Sequence, residues 1–296
     1  MIDRLNNEFH IRDSVRITAG NGGLPKVVLS HASGSSAEVY LHGAHVTSWK
    51  TLRGEELFFL SRESQWAADK PIRGGIPVIF PQFGGRGPLP QHGFVRTSGW
   101  QLVRTELLDN GIVTAELQIT DSAASLAIWP HRFDLGLRVL LDEDALTVTL
   151  QVINTGDVLF DFQAAFHTYL AVVDIGQVAV HGLNGVTLID ALNDRAREVE
   201  TRDTVRFAGE TDRIYVDAPD TLHLHDGGNR RTVTIEKMNL PDVVVWNPWI
   251  AKSQRMPDFG DDEYTRMVCI ETGAIETPPI LSPGDKWEGE TVFGVE

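Results

Sequence analysis

Two ionisable residues stand inside apolar, strand-like runs, where a charge is costly. His167 lies in FQAAFHTYL and Glu271 in MVCIETGAIE. Burial raises the pKa of a carboxyl group and lowers that of an imidazole, which brings both toward neutrality, where proton transfer is most efficient. Taken singly, each has a plainer account: a core histidine satisfied by backbone groups, and a strand-end glutamate in solvent. Together they suit a half-buried acid and base. A second set of candidates lies in the stretch Ile72 to Trp100, IRGGIPVIFPQFGGRGPLPQHGFVRTSGW, whose glycines and prolines interrupt helix and central strand alike. No carboxylate occurs in it, although the chain as a whole is acidic. Arg73 and Arg96 offer permanently charged guanidinium forks that match phosphate oxygens, with ordinary ion pairs as the alternative. Gln91 and His92 precede the second arginine. His92 suits either a turn or a hydrogen bond to a substrate oxygen, and the sequence does not choose. Long irregular segments in compact domains usually serve binding.

The remaining histidines and the cysteine attract less chemistry. His131, in IWPHRF, reads as structural. His181, His223 and His225 read as solvent-facing residues among polar turns. No two histidines pair at helical spacing beside a carboxylate, so no metal site is expected. Cys269 is the single cysteine and sits in the apolar run MVCI, which reads as a reduced core thiol. Phosphate-loop, dinucleotide-binding, HExxH and GxSxG motifs are all missing, so nucleotide, redox and serine-hydrolase chemistry lack support. The chain has 26 Lys and Arg against 41 Asp and Glu, a net charge of −15, which disfavours nucleic acid and anionic membranes as partners. Its start, MIDRLNNEFHIRD, lacks a secretory apolar core, and no run approaches membrane-spanning length. A cytoplasmic protein is expected.

Period-two alternation dominates the elements that must hold these residues. In ALTVTLQVIN, Leu146, Val148, Leu150 and Val152 share one face; RFDLGLRVLL and GIVTAELQIT repeat the pattern. KVVLS, AEVYLHGAHVTSW, WQLVRTELL, TLHLH, RTVTIEK, DVVVW and RMVCIE are further strands, separated by turns such as Asp109-Asn110-Gly111 and Ser282-Pro283-Gly284. Short helices are expected at Ser61 to Asp69 and Asn193 to Glu198. Many strands joined by turns imply an all-β chain, a large antiparallel β-sandwich. No linker, charge block or repeat interrupts it, so one domain over residues 1–296 is expected.

In order along the chain, IRGGIPVIFPQFG, LPQHGFVR, AFHTYL, GETDRIY, VVVWNPW, DFGDDEY and MVCIE resemble the glucose-6-phosphate 1-epimerases of the aldose 1-epimerase superfamily. The resemblance spans nearly the whole chain. It implies a galactose mutarotase-like supersandwich and exchange of hexose 6-phosphate anomers without a cofactor. It makes His167 the general acid and Glu271 the general base. It places Arg73, Gln91, Arg96 and Asp212 against the substrate, with His92 beside them. Val95 and Thr97-Ser98 depart from the usual pattern near the phosphate end, and touch no proposed catalytic group. Trp246 and Trp249 read as core packing rather than sugar stacking. A monomer is expected, with a small phosphosugar as its partner. A mutarotase of neutral hexoses, and a carbohydrate-binding protein without catalysis, are the alternatives.

Overall fold

The computed structural model describes all residues, Met1–Glu296. Two large sheets, of nine and eight strands, are accompanied by a four-stranded sheet near the N-terminus and a two-stranded one, and every strand pair is antiparallel. The nine-stranded sheet bears out the alternation. Phe133–Leu141 and Ala145–Asn154 pair in register, Leu137 opposite Leu150 and Val139 opposite Val148, with their apolar faces fully buried. These faces join the main core, 57 buried residues between the sheets. Each strand named from the sequence is present.

The eight-stranded sheet is different, because both of its faces are covered. In Asp242–Asn247, Val243 and Val245 point into the main core, while Val244 and Trp246 belong to a second cluster of 13 residues on the opposite face. In Met267–Ala274, Val268 and Ile270 face the main core, and Met267 and Cys269 face the second cluster. Glu271 continues this odd-numbered face, because side chains alternate along a strand. A sheet buried on both sides explains why DVVVW and MVCIE read as continuous apolar runs.

The two expected short helices are absent. Residues 61–69 are held as turns, because Ser61 and the Arg62 N–H donate to the Glu263 carboxylate and the Ser64 hydroxyl accepts from the Arg73 N–H. At Asn193 to Glu198, Asp194 and Arg195 have positive φ (46° and 58°), and Ala196–Val199 then pairs as an edge strand with Thr187–Asp190. The observed helices are Ile2–Phe9, Ala123–Ile128 and Trp249–Ser253. The second carries a reciprocal Ser122/Ser125 cap, a signal visible in DSAASLAIWP. His181, His223 and His225 lie in strands rather than turns, although His223 and His225 do face solvent. His131 packs its ring on Trp129 and Phe160, away from the other candidates.

Candidate active site

Strand register brings His167 and Glu271 together. Phe166 pairs with Thr272 and Tyr169 with Cys269, on two short strands that flank His167-Thr168 and both run antiparallel to Met267–Ala274. Both pairs sum to 438, so His167 stands directly opposite Glu271, the separation at which cross-strand side chains touch. His167 Nδ1 lies 3.3 Å from Glu271 Oε1. The two are close but not aligned for a hydrogen bond, and both Nδ1 and Glu271 Oε2 are buried without a partner. The pair forms part of the floor of a cavity of about 410 Å³. Tyr169 stacks on the imidazole at 4.8 Å with the rings 6° from parallel, and Trp246 meets its edge at 5.9 Å. These contacts hold the ring in one plane.

Burial dominates the titration of both groups. It lowers His167 well below the ordinary imidazole value, aided by His92, Arg73 and Arg96. It raises Glu271 well above the ordinary carboxyl value; Asp212 adds to the rise and Arg96 opposes it. The uncharged pair, imidazole beside carboxylic acid, is therefore favoured in the resting site. That pair and the ionised pair differ only by one proton passed across the gap.

The glycine-rich stretch forms one wall. Its apolar run, Ile76 to Phe83, is buried as expected, and Val78–Ile79 pairs with Ala165–Phe166. Gln82 bonds the Gly84 and Leu89 carbonyls and the Leu89 N–H, which pins the intervening loop. Gly93 has φ 71°, and a Cβ there would lie 1.9 Å from the Phe80 carbonyl oxygen, so only glycine fits beside His92. His92 Nδ1 accepts from the Gly84 N–H at 3.3 Å. The imidazole, pushed down to about 3 by burial and by the two arginines, is neutral and carries its proton on Nε2. It is a ready hydrogen-bond donor.

The two arginines differ. Arg73 binds Asp258 through Nε and Nη2 (3.2 and 2.9 Å) and donates Nη1 to the Tyr169 hydroxyl at 2.8 Å. The ordinary ion pair is thus realised for Arg73, which still lines the cavity with part of its fork. Arg96 makes no ion pair; its Nη2 donates to the main-chain carbonyl of Gln91 at 2.9 Å. Burial and Arg73 lower it to about 10, still well above neutrality. Gln91, His92 and Asp212 also line the cavity, so all seven candidate residues meet there. Asp212 sits 3.7 Å from Lys252 Nζ, with its carboxyl pushed up by burial.

Four lining residues escaped the sequence reading as substrate contacts. Arg86 belongs to the same carboxylate-free stretch and pairs with Glu276, as does Arg195 at 3.2 Å. Lys252 lies over Trp246, 5.6 Å from the ring, so Trp246 walls the cavity as well as packing. The stretch itself marked Arg86; no local pattern marks Arg195 or Lys252.

Residues 25–294 match the family described as aldose 1-epimerase. The chain belongs to the aldose 1-epimerase family. As a member it is an isomerase that interconverts sugar anomers. A relative from Cenchrus ciliaris is 42% identical over 274 residues, 90% of this chain and 83% of its own length. One from Escherichia coli K12 is 34% identical over 260 residues, 87% and 86% of the two chains. Both carry the provisional name glucose-6-phosphate 1-epimerase. A structure from Salmonella typhimurium, provisionally described as a mutarotase, superposes with a TM-score of 0.89 at 29% identity, over 100% of this chain and 99% of that one. Galactose 1-epimerase from Lactobacillus acidophilus shares the fold at TM-score 0.71 and 16% identity. The sandwich expected from alternation is the fold of the galactose mutarotases.

One stability prediction arises from the buried pair. The folded state keeps Glu271 protonated above the pH at which the unfolded chain ionises, near 4.5. Its contribution therefore weakens as pH rises through that range. Glu271→Gln keeps the shape and does not titrate. Its melting temperature should exceed that of the parent by a margin that widens as the pH rises above 4.5, roughly 2–4 °C per kcal/mol relieved. Thermal melts of both proteins across that range decide it; a constant margin would refute the protonated carboxyl.

Proposed function

We propose that this isomerase acts on hexose 6-phosphates, chiefly glucose 6-phosphate. The observation that carries the reading is a buried His167/Glu271 pair, 3.3 Å apart, in a cavity that also holds Arg96, a cation with no carboxylate partner. A neutral sugar has no use for an uncompensated guanidinium, and a phosphate dianion does. The names carried by the relatives support the same substrate.

Anomer exchange removes the C1 hydroxyl proton and protonates the ring oxygen. Once the proton has passed from Glu271 to His167, the Glu271 carboxylate takes the first proton and the His167 imidazolium gives the second. The C1–O1 bond becomes a carbonyl as the C1–O5 pair passes to oxygen. Rotation about C1–C2 then presents the other face of the aldehyde, and the two residues exchange roles on closure. Every proton released is taken up, so this chain's own residues suffice for the reaction. Arg96 holds the 6-phosphate, and Arg73, bound to Asp258 and Tyr169, supports the floor beneath the sugar. Asp212 and Gln91 take sugar hydroxyls, and His92 donates to a substrate oxygen. The phosphate lies far from C1, so its grip acts by positioning. A monomer in the cytoplasm is the setting we propose, consistent with a buried free thiol.

Exchange between the α and β anomers, followed by magnetisation transfer, tests the reading. Acceleration of glucose 6-phosphate well beyond that of glucose or galactose is expected. Equal acceleration of all three would make the chain a mutarotase of neutral hexoses. No acceleration of any would leave a sugar-binding protein.

A further inference from the structure

Beneath the reacting pair lies a third ligating atom that anomer exchange does not use. Cys269 precedes Glu271 by two residues on the same strand and shares its face. Its Sγ, a ring nitrogen of His167 and a carboxylate oxygen of Glu271 all lie within 4.8 Å of one another, and all three residues are buried. His167 Nδ1 and Glu271 Oε2 have no hydrogen-bond partner, although His167 is 7% and Glu271 2% exposed. Unpartnered buried atoms of this kind are costly and suited to an incoming ligand. Nothing in the sugar chemistry accounts for a thiol at this spot.

We propose that the floor of the cavity binds one thiophilic divalent cation, zinc or cadmium, through Cys269, His167 and Glu271, and that its binding blocks anomer exchange. The donor set, one sulfur, one imidazole nitrogen and one carboxylate oxygen, is that of a tetrahedral zinc site with one open position. Ligands around such an ion stand about 3.3–3.7 Å apart. The 3.3 Å between His167 Nδ1 and Glu271 Oε1 already meets that spacing, and the thiol closes the rest by about 1 Å of side-chain movement. The fourth position opens on the cavity, because His167 and Glu271 both line it. Binding releases the Cys269 thiol proton and the Glu271 carboxyl proton to solvent, and the dication held by thiolate and carboxylate is then electrically neutral. Arg73, Arg96 and Lys252 around the cavity therefore do not expel it, as they would an uncompensated cation. Blocking follows from occupancy: the atoms that trade protons with the sugar become metal ligands. This consequence rests on the proposed roles of His167 and Glu271; the binding itself does not.

The test is a cadmium titration of the full-length protein in a buffer free of phosphate and thiols, read by the ultraviolet cadmium–thiolate charge-transfer band. Cys269 is the only cysteine in the chain, so a band can arise from no other residue. The expected result is saturation at one cadmium per chain, reversal by zinc, and affinity weakened about tenfold or more in Glu271→Gln. In parallel, exchange activity falls in proportion to saturation, while Cys269→Ala retains activity and resists cadmium. Absence of the band overturns the site, as does an affinity unchanged in Glu271→Gln, which would mean a lone thiol. Full occupancy with undiminished exchange overturns the blocking. The band is read without sugar, so a failure of the phosphosugar reading leaves the binding result standing.

Discussion

Replacing Glu271 with glutamine, or His167 with alanine, lowers the catalysed exchange of glucose 6-phosphate anomers by about a hundredfold to ten-thousandfold, the usual worth of a positioned acid or base. The effect falls on kcat, because neither group grips the phosphate. Glutamine preserves the volume and the packing opposite His167, and the same variant is expected to melt higher than the parent. A loss of activity together with a gain of stability excludes collapse as the cause. Retention of full exchange in either variant would remove both residues from their roles.

The same pair predicts a bell-shaped dependence on pH. The competent site holds one proton between two groups. It is lost on the acid side when the neutral imidazole gains a second proton, and on the alkaline side when the pair gives up its only one. His167 is held below its ordinary value and Glu271 above its own, so the acid limb lies below the ordinary imidazole value and the alkaline limb above the ordinary carboxyl value. Arg96 lowers both groups. Removing its charge therefore moves both limbs to higher pH. Bound phosphate, by neutralising Arg96, does the same to the limbs of kcat relative to those of kcat/KM.

Much of this site was legible before any coordinates. His167 and Glu271 were conspicuous as ionisable residues in apolar runs, and the continuous burial of Met267–Ala274 shows why those runs lack alternation: both faces of the sheet are covered. What a single strand could not reveal was which face belongs to which core. Trp246 therefore read as packing alone, although it shares its face with Val244 and walls the cavity. The fate of the arginines was also illegible. Arg73 is neutralised by Asp258, 185 positions away, and that loop is fixed by Glu263, which accepts from Ser61, Arg62 and Gly260. Pairings of such range leave no local trace. The misplaced helices have the same origin, since tertiary hydrogen bonds and left-handed residues override local propensity.

Arg96→Ala should reduce kcat/KM for glucose 6-phosphate by on the order of 30- to 150-fold while changing that for glucose by less than about threefold. The magnitude follows from a charged hydrogen-bonded contact worth about 2–3 kcal/mol, each 1.36 kcal/mol being tenfold. Arg73→Ala does not give the same pattern. Its guanidinium already serves Asp258 and Tyr169, so its removal leaves a buried carboxylate unpaired and frees the ring that stacks on His167. That variant should lose stability and should slow phosphorylated and neutral sugars alike. The contrast separates a residue that reads the phosphate from one that supports the catalytic floor. Parallel kinetics of the two variants on glucose 6-phosphate and glucose measure it. If Arg96→Ala slowed both sugars equally, the unpaired guanidinium would be acting on His167 and Glu271 through its field alone, and the phosphate would have to be held by Arg86 and Arg195 at the cavity wall.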